Sequence, residues 1–195
     1  MKSDKSIRAR WRSLFGDCPP LGFLLRESFP DRWLRIHSLR SGKRYPETAV
    51  EVATMLSRHN TVATELLGDG APCVVIANPA PNPLHARGQR SRRQLDALGF
   101  RPVMIVEEPD TPVGADGWHI PLSAASIRWR EGALNDVLED VAHDLVSPLL
   151  IVAIESGRVY APYDGGADLF LCSPAERDAH RERWSEWLPT HSSGL

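Results

Sequence analysis

The stretch LLIVAIESGRVYAPYDGGADLFLC, residues 149–172, decides the fold of this chain. It contains three short runs of mostly apolar and aromatic residues, LLIVAIE, RVYAPY and ADLFLC, which are separated by Ser156-Gly157 and by Gly165-Gly166. Serine and glycine supply the tight turns that join antiparallel neighbours. The stretch therefore predicts a three-stranded antiparallel meander.

A helix is predicted directly after the meander, and a βαβ unit is predicted before it. SPAE, residues 173–176, places serine at an N-cap, proline at the first helical position and glutamate at the third. Upstream, CVVIAN (73–78) and RPVMIVEE (101–108) predict strands, and Ser91 with Gln94 predicts a capping box for a helix between them. The run HIPLSAASIRW (119–129) is also predicted to be extended.

The first third of the chain alternates between helical and strand patterns. Residues 5–15 carry an apolar stripe opposite several arginines, which predicts an N-terminal helix. Residues 32–38 alternate in polarity, so that Trp33, Arg35 and His37 share one face of a predicted strand. After the loop LRSGKR (39–44), a long helix is predicted to begin near Pro46 and to end at Gly68.

These elements predict a single globular domain over residues 1–195. Its class is α/β (α+β), with a mixed sheet that contains the βαβ unit and the C-terminal meander, flanked by helices. The proline-rich residues 79–90 are predicted to form a surface loop rather than a linker between domains.

Composition narrows the classes of function. The chain has 195 residues, of which 42% are hydrophobic and 25% are charged, and its net charge is −2, so no overall field would draw it to nucleic acid or to an anionic membrane. The N-terminal residues lack a signal-peptide core, and no stretch reaches the roughly 20 apolar residues that span a bilayer. A cytoplasmic location is therefore predicted, without a membrane partner.

Two further partner classes are not expected from the sequence. Nucleic-acid binding would have to use arginines that lie in a polar loop without interleaved aromatic residues, namely Arg87, Arg90, Arg92 and Arg93. The three cysteines, Cys18, Cys73 and Cys172, are widely separated, so they predict neither a zinc site nor a disulfide framework.

Two motifs carry a resemblance to a known family. They are WLRIHSLRSGKRYPET near the N-terminus and VYAPYDGGADLFLCSPAERDAHRERWSEWL near the C-terminus. Through them, the chain resembles a bacterial domain-of-unknown-function family that is marked by the pattern YxPYDGGxDxxL. The resemblance extends through most of the chain but implies no activity, so the site predictions below rest on residue chemistry.

The first candidate site is cationic and lies in the predicted strand and the loop after it. Arginine, lysine and histidine side chains close to a helix start could bind an anion such as phosphate. The candidate residues are Arg35, His37, Lys43, Arg44 and Tyr45. In the alternative interpretation these charges are structural: Arg35 stacks on Trp33, and the loop cations pair with Glu47 and Glu51.

The second candidate site surrounds the glycine turn of the meander. Tyr160, Tyr163, Asp164 and Asp168 flank this turn, and the two carboxylates could hold a divalent metal ion or serve as acid and base. The alternative is that Asp164 satisfies its own turn and Asp168 pairs with an arginine. No other cofactor is predicted.

Two hypotheses of function follow. The first is a non-enzymatic interaction protein, of an immunity or regulatory type, that binds a protein partner through a charged face carrying tryptophan. The second is a small enzyme or sensor for a phosphorylated metabolite or nucleotide, with a metal-assisted site that unites both candidate clusters.

Overall fold

The computed structural model describes residues 2–78, 89–107 and 119–190. In chain order, the helices and strands within these ranges are α1 (Lys2–Phe15), α2 (Gly22–Ser28), β1 (Trp33–His37), α3 (Ala49–Leu67), β2 (Pro72–Ala77), α4 (Gln89–Ala97), β3 (Arg101–Glu107), β4 (His119–Arg128), α5 (Asn135–Ala142), β5 (Leu149–Ala153), β6 (Val159–Tyr163), β7 (Gly166–Phe170) and α6 (Pro174–Arg183). Short 3-10 turns lie at Pro30–Arg32, Arg40–Gly42 and Ser185–Trp187.

The strands form one seven-stranded sheet in the order β1-β7-β6-β5-β2-β4-β3. The predicted α/β class and the predicted meander, now β5, β6 and β7, are confirmed. The N-terminal strand β1 adds to the meander at one edge, where it pairs antiparallel with β7.

The prediction of a mixed sheet is wrong, because every pair of neighbouring strands is antiparallel. Strands β2 and β3 do run in the same direction with α4 between them, as the predicted βαβ unit requires. However, β4 inserts between them and pairs with both. The unit is therefore split, since the chain returns from β3 along β4 before it reaches the meander.

Two predicted helix starts differ from the observed ones. Helix α3 begins at Ala49 rather than near Pro46, because Thr48 and Glu51 form a capping box in which each side chain accepts a hydrogen bond from the other's backbone N–H. Helix α4 begins at Gln89, so Ser91 lies within the helix rather than at its N-cap, and its side chain is buried. Most of the predicted proline-rich loop, residues 79–88, lies outside the described residues.

Apolar side chains are buried on both faces of the sheet. Leu34 and Ile36 of β1 belong to the core on the face that carries α3 and α5. Trp11 of α1 and Leu25 of α2 belong to the core on the other face. Among the described residues, no helix is both long and apolar enough to cross a membrane.

Candidate functional site

The alternation along β1 directs its polar residues to the face of the sheet that carries α1 and α2. Leu34 and Ile36 are buried on the α3 face, so Trp33, Arg35 and His37, which are half-buried, lie on the opposite face. The register of β1 against β7 then sets Arg35 directly opposite Asp168. Two residues 133 positions apart in the chain become cross-strand neighbours.

The carboxylate of Asp168 accepts three hydrogen bonds from β1. Arg35 donates from Nε to Oδ1 at 2.8 Å and from Nη2 to Oδ2 at 3.0 Å, and Trp33 donates from Nε1 to Oδ1 at 2.8 Å. The side chains of Arg35 and Asp168 are only 14% and 7% exposed. Burial lowers the pKa of Arg35, but the hydrogen bonds and the charge of Asp168 outweigh burial and raise that pKa above its usual value. Arg35 and Asp168 therefore form a bidentate ion pair that is largely shielded from solvent.

Tyr163 completes this cluster from β6. The guanidinium carbon of Arg35 lies 4.7 Å from the centre of the Tyr163 ring and 5.4 Å from that of Trp33. Burial, more than any neighbouring charge, raises the pKa of Tyr163 to about 12, so the phenol stays neutral. Gly166 leaves room for the ring, since a Cβ there would lie 3.1 Å from the Tyr163 hydroxyl and 1.9 Å from the carbonyl oxygen of Ile36.

A second ion pair joins the loop after β1 to the turn between β6 and β7. Arg44 Nη2 lies 2.6 Å from Asp164 Oδ2, and the Tyr45 hydroxyl donates to the same oxygen at 3.0 Å. The Asp164 side chain is 9% exposed and that of Arg44 is 65% exposed. The hydrogen bond to Asp164 is the main reason that the pKa of Tyr45 is raised. The Asp164 carboxylate therefore lies beneath the surface, and the Arg44 guanidinium and the Tyr45 phenol face outward.

Lys43 points away from this turn. Its Nζ lies 2.9 Å from Glu47 Oε2 and 2.7 Å from Glu51 Oε1. Glu51 also accepts hydrogen bonds from the backbone at the start of α3. Its contact with Lys43 is the largest cause that lowers the pKa of Glu51 to about 2. The start of α3, which the sequence offered as part of an anion site, is therefore occupied by the chain's own carboxylate.

His37 lies between cations at the end of β1. Burial lowers its pKa, and so do the charges of Arg35 and Arg58. Its ring packs against the loop, since a Cβ at Gly42 would lie 3.2 Å from Cε1 of His37. His37 is thus a neutral group next to two guanidinium groups.

Tyr160 lies on the opposite face of β6 from Tyr163 and takes no part in this cluster. It is fully buried and hydrogen-bonded to Nδ1 of His59, whose Nε2 lies 2.6 Å from Oγ of Ser38. A hydroxyl on a histidine is the pattern of an activated nucleophile. All three side chains are at most 1% exposed, however, so a substrate has no path to them and the trio ties α3 to the sheet.

The sequence did not predict this trio. Tyr160 is 101 positions from His59, and no spacing rule links them. The available signal was the polarity of a histidine on an otherwise apolar stripe, since a buried imidazole needs hydrogen-bonding partners.

The residues above the two carboxylates form one surface, which we call the arginine–aromatic face, in which Arg35 is largely buried and Arg44 and Tyr45 are the most exposed members. Cations alternate with rings along it: the guanidinium carbon of Arg26 lies 5.7 Å from the centre of the Trp33 ring, and that of Arg44 lies 5.7 Å from the centre of the Tyr45 ring. Its members are Arg26, Trp33, Arg35, Arg44, Tyr45 and Tyr163. The two residues predicted as metal ligands, Asp164 and Asp168, lie beneath it, each paired with an arginine. Over the ranges that the structure describes, no three His, Cys, Asp or Glu side chains cluster as a metal ion would require.

A family model described as a domain of unknown function, DUF3885, matches residues 21–192. No curated protein matches the chain, and no solved structure matches it.

Proposed function

Because the chain belongs to the DUF3885 family, whose description assigns no activity, we propose its function from the geometry: it is a non-enzymatic binding protein that recognises a protein partner through the arginine–aromatic face. The single observation that carries this proposal is the arrangement of Arg44 and Tyr45. Both are outward, and both are fixed by one buried carboxylate.

Residue type supports this function. Arginine, tyrosine and tryptophan are the side chains that most often dominate the energy of protein interfaces. Tyr45 is 43% exposed, although its hydroxyl is hydrogen-bonded to Asp164 within the chain. An exposed ring of this kind offers apolar area to a partner.

Preorganisation supports it as well. Ordering a flexible side chain at an interface costs about 0.5–1.5 kcal/mol. Asp164 already orders Arg44 and Tyr45, and Asp168 already orders Trp33 and Arg35. The free protein therefore presents these four side chains in place, so that little of this cost falls on binding.

The enzyme or sensor hypothesis receives less support from the same contacts. It needs Lys43, Arg44 and Arg35 for a phosphate and Asp164 and Asp168 for a metal ion. Each of these five side chains contacts an opposite charge of the chain itself. A phosphate or a metal ion would first have to break these pairs, whereas a protein partner can bind with all of them intact.

The test is affinity capture from cytoplasmic extract, since the predicted location is the cytoplasm. The full chain serves as bait in three forms: wild type, the double variant Arg44→Ala/Tyr45→Ala, and the control Arg130→Ala. Arg130 is a matched control because it is also exposed and ion-paired, with Asp69, away from the face. Quantitative mass spectrometry should find a protein retained by wild type and control and depleted at least tenfold by the double variant.

The proposal fails if no protein distinguishes the double variant from the control. A thermal-shift screen of the wild type with phosphate, Mg²⁺ and nucleotides tests the enzyme or sensor hypothesis separately. Saturating ligand would raise the melting temperature by several degrees, and such a shift, lost in Asp164→Asn, would favour that hypothesis.

A further inference from the structure

A groove of about 650 Å³ runs along the outer side of α3, the side that faces away from the sheet. Residues four apart on the helix, Ala49, Ala53 and Ser57, form its floor, and Trp187 from the turn after α6 stands beside it. Val50, at its edge, is 75% exposed. The groove is therefore largely apolar, and the small floor residues leave room for a bulky side chain.

One end of this groove holds a cation whose donors are mostly unused. The guanidinium carbon of Arg58 lies 4.9 Å from the centre of the Trp187 ring, and Nη1 donates a hydrogen bond to the carbonyl oxygen of His37 at 2.7 Å. Within the described ranges, neither Arg58 nor the exposed Arg40 forms an ion pair. Burial and the charge of Arg40 lower the pKa of Arg58, and the charge of Glu186 offsets this only in part.

The neighbouring charges on α3 are already paired. Lys43 contacts Glu47 and Glu51 near the start of the helix, and Arg183 contacts Glu65 near its end, with Nε 2.6 Å from Oε2. Glu186 acts on Arg58 through its charge but forms no ion pair with it within the described ranges, so Arg58 and Arg40 keep unpaired guanidinium groups where the apolar groove ends. A guanidinium with free donors pairs best with a carboxylate, because the two groups can form a bidentate pair of hydrogen bonds.

We propose that this groove binds an acidic amphipathic helix of a partner protein. Apolar side chains of that helix pack on Ala53, Val50 and Trp187, and a carboxylate one turn away binds Arg58 and is attracted by Arg40. Helices dock in this way through anchors three or four residues apart. The groove lies beyond α3, on the opposite side of the sheet from Trp33, Arg35 and Tyr163, and its lining contains no member of the arginine–aromatic face, so this inference does not rest on the proposed function.

The probe is a displayed library of random 16-residue peptides selected on the immobilised full chain. Enriched peptides should combine Asp or Glu with leucine, isoleucine or phenylalanine at helical spacing. Their dissociation constants are then measured by fluorescence anisotropy, using labelled synthetic copies, against the wild type and three variants.

The variants separate apolar and charged contributions while leaving the core intact. Ala53→Glu places a bulky negative charge on the exposed floor of the groove and should weaken binding at least tenfold. Arg40→Gln removes an exposed, unpaired charge and should weaken binding about threefold at low salt but not at high salt. The control Ala179→Glu makes the same change at an exposed position of α6 and should leave binding unchanged.

Three results would overturn the inference. They are a selection that enriches no peptide, enrichment of neutral or basic peptides only, and acidic peptides whose affinity is as insensitive to Ala53→Glu as it is to the control.

Discussion

Strands β1, β6 and β7, with the residues next to them, carry two clusters of polar side chains, one on each face of the sheet. Tyr160 and Tyr163 lie three positions apart on β6. Tyr160 joins the buried trio with His59 and Ser38, and Tyr163 stacks on Arg35 above the ion pair with Asp168. Both clusters depend on the register that pairs β1 with β7 and β6 with β7.

The two clusters differ in whether their side chains are charged. The trio is neutral, because burial and the charge of Arg58 lower the pKa of His59 to about 4, and burial raises that of Tyr160 well above its usual value. The other cluster keeps full charges and neutralises each carboxylate with an arginine. A buried site without access favours neutral hydrogen bonds, whereas a partly open site can hold ion pairs whose cations face outward.

The largest effect should come from the residue on which both clusters depend. Gly166→Ala would bring a Cβ to 1.9 Å from the carbonyl oxygen of Ile36, so β1 must separate from β7 and both clusters lose their support. We expect a loss of more than about 4 kcal/mol in the free energy of unfolding, measured by urea denaturation. Gly99→Ala is the control: its φ is +71° but no atom lies within 4 Å, which limits its cost to about 1–2 kcal/mol. Equal losses would contradict the prediction.

Breaking the charged cluster alone should cost less. Asp168→Ala leaves Arg35 buried without its counter-ion, and we expect a loss of about 3 kcal/mol. The comparison is Asp69→Ala, which breaks an ion pair whose side chains are 62% and 59% exposed and should cost no more than about 1 kcal/mol. Chemical denaturation of the two variants measures the difference. If both losses fall below about 1 kcal/mol, the Arg35–Asp168 pair is not a stabilising contact.

The neutral trio should respond to pH. The pKa of His59 is about 4 in the native state against 6.5 in an unfolded chain. Between these values the unfolded state binds more protons, so the free energy of unfolding falls as the pH falls. His59 should contribute a loss of about 2 kcal/mol between pH 7.5 and pH 5, and the lowered pKa of His37 acts in the same direction.

Urea denaturation at pH 7.5, 6 and 5 measures this dependence. His59→Gln should be less stable at neutral pH but should show a flatter dependence, whereas His119→Gln, at a side chain 64% exposed, should keep the wild-type slope. An unchanged slope in His59→Gln would show that the native histidine is not held neutral.

The smallest effect separates the two tyrosines. Tyr160→Phe removes the hydroxyl bonded to His59 and leaves a buried nitrogen unsatisfied, which should cost about 1–2 kcal/mol. In the residues described, the Tyr163 hydroxyl makes no hydrogen bond, so Tyr163→Phe should change stability by less than about 0.5 kcal/mol. Thermal and urea unfolding of both variants checks the difference. Equal effects would mean that the trio does not contribute through its hydrogen bonds.

The sequence predicted the elements whose pattern is local. Alternation identified β1 and its polar face, and the turn glycines identified the meander. The stacking of Arg35 on Trp33 and the pairing of Lys43 with Glu47 and Glu51 were foreseen as the structural alternative, because these contacts join residues close in the chain.

Contacts between distant parts of the chain could not be predicted from the sequence. The insertion of β4 between β2 and β3 depends on which apolar strands pair with each other, and hydrophobic periodicity does not determine that pairing. An arginine partner for Asp168 was foreseen as an alternative, but neither the identity of that arginine, Arg35, nor the trio could be predicted, since these contacts join residues more than 100 positions apart. The start of α3 was misplaced because Pro46 and Thr48 are both acceptable helix-start residues, and only the observed contacts of Glu51 decide between them.

The position of β1 at the edge of the meander also has a consequence for synthesis on the ribosome. Arg35 emerges 133 residues before Asp168, which at about 5–20 residues per second is a wait of roughly 7 to 27 seconds. During this interval β1 has no strand to pair with, while β2, β3 and β4 can already assemble. Slower translation between β1 and β7 should therefore prolong the time for which β1 stays unpaired, and a chaperone that shields Trp33 and Ile36 during this time should raise the yield of folded protein.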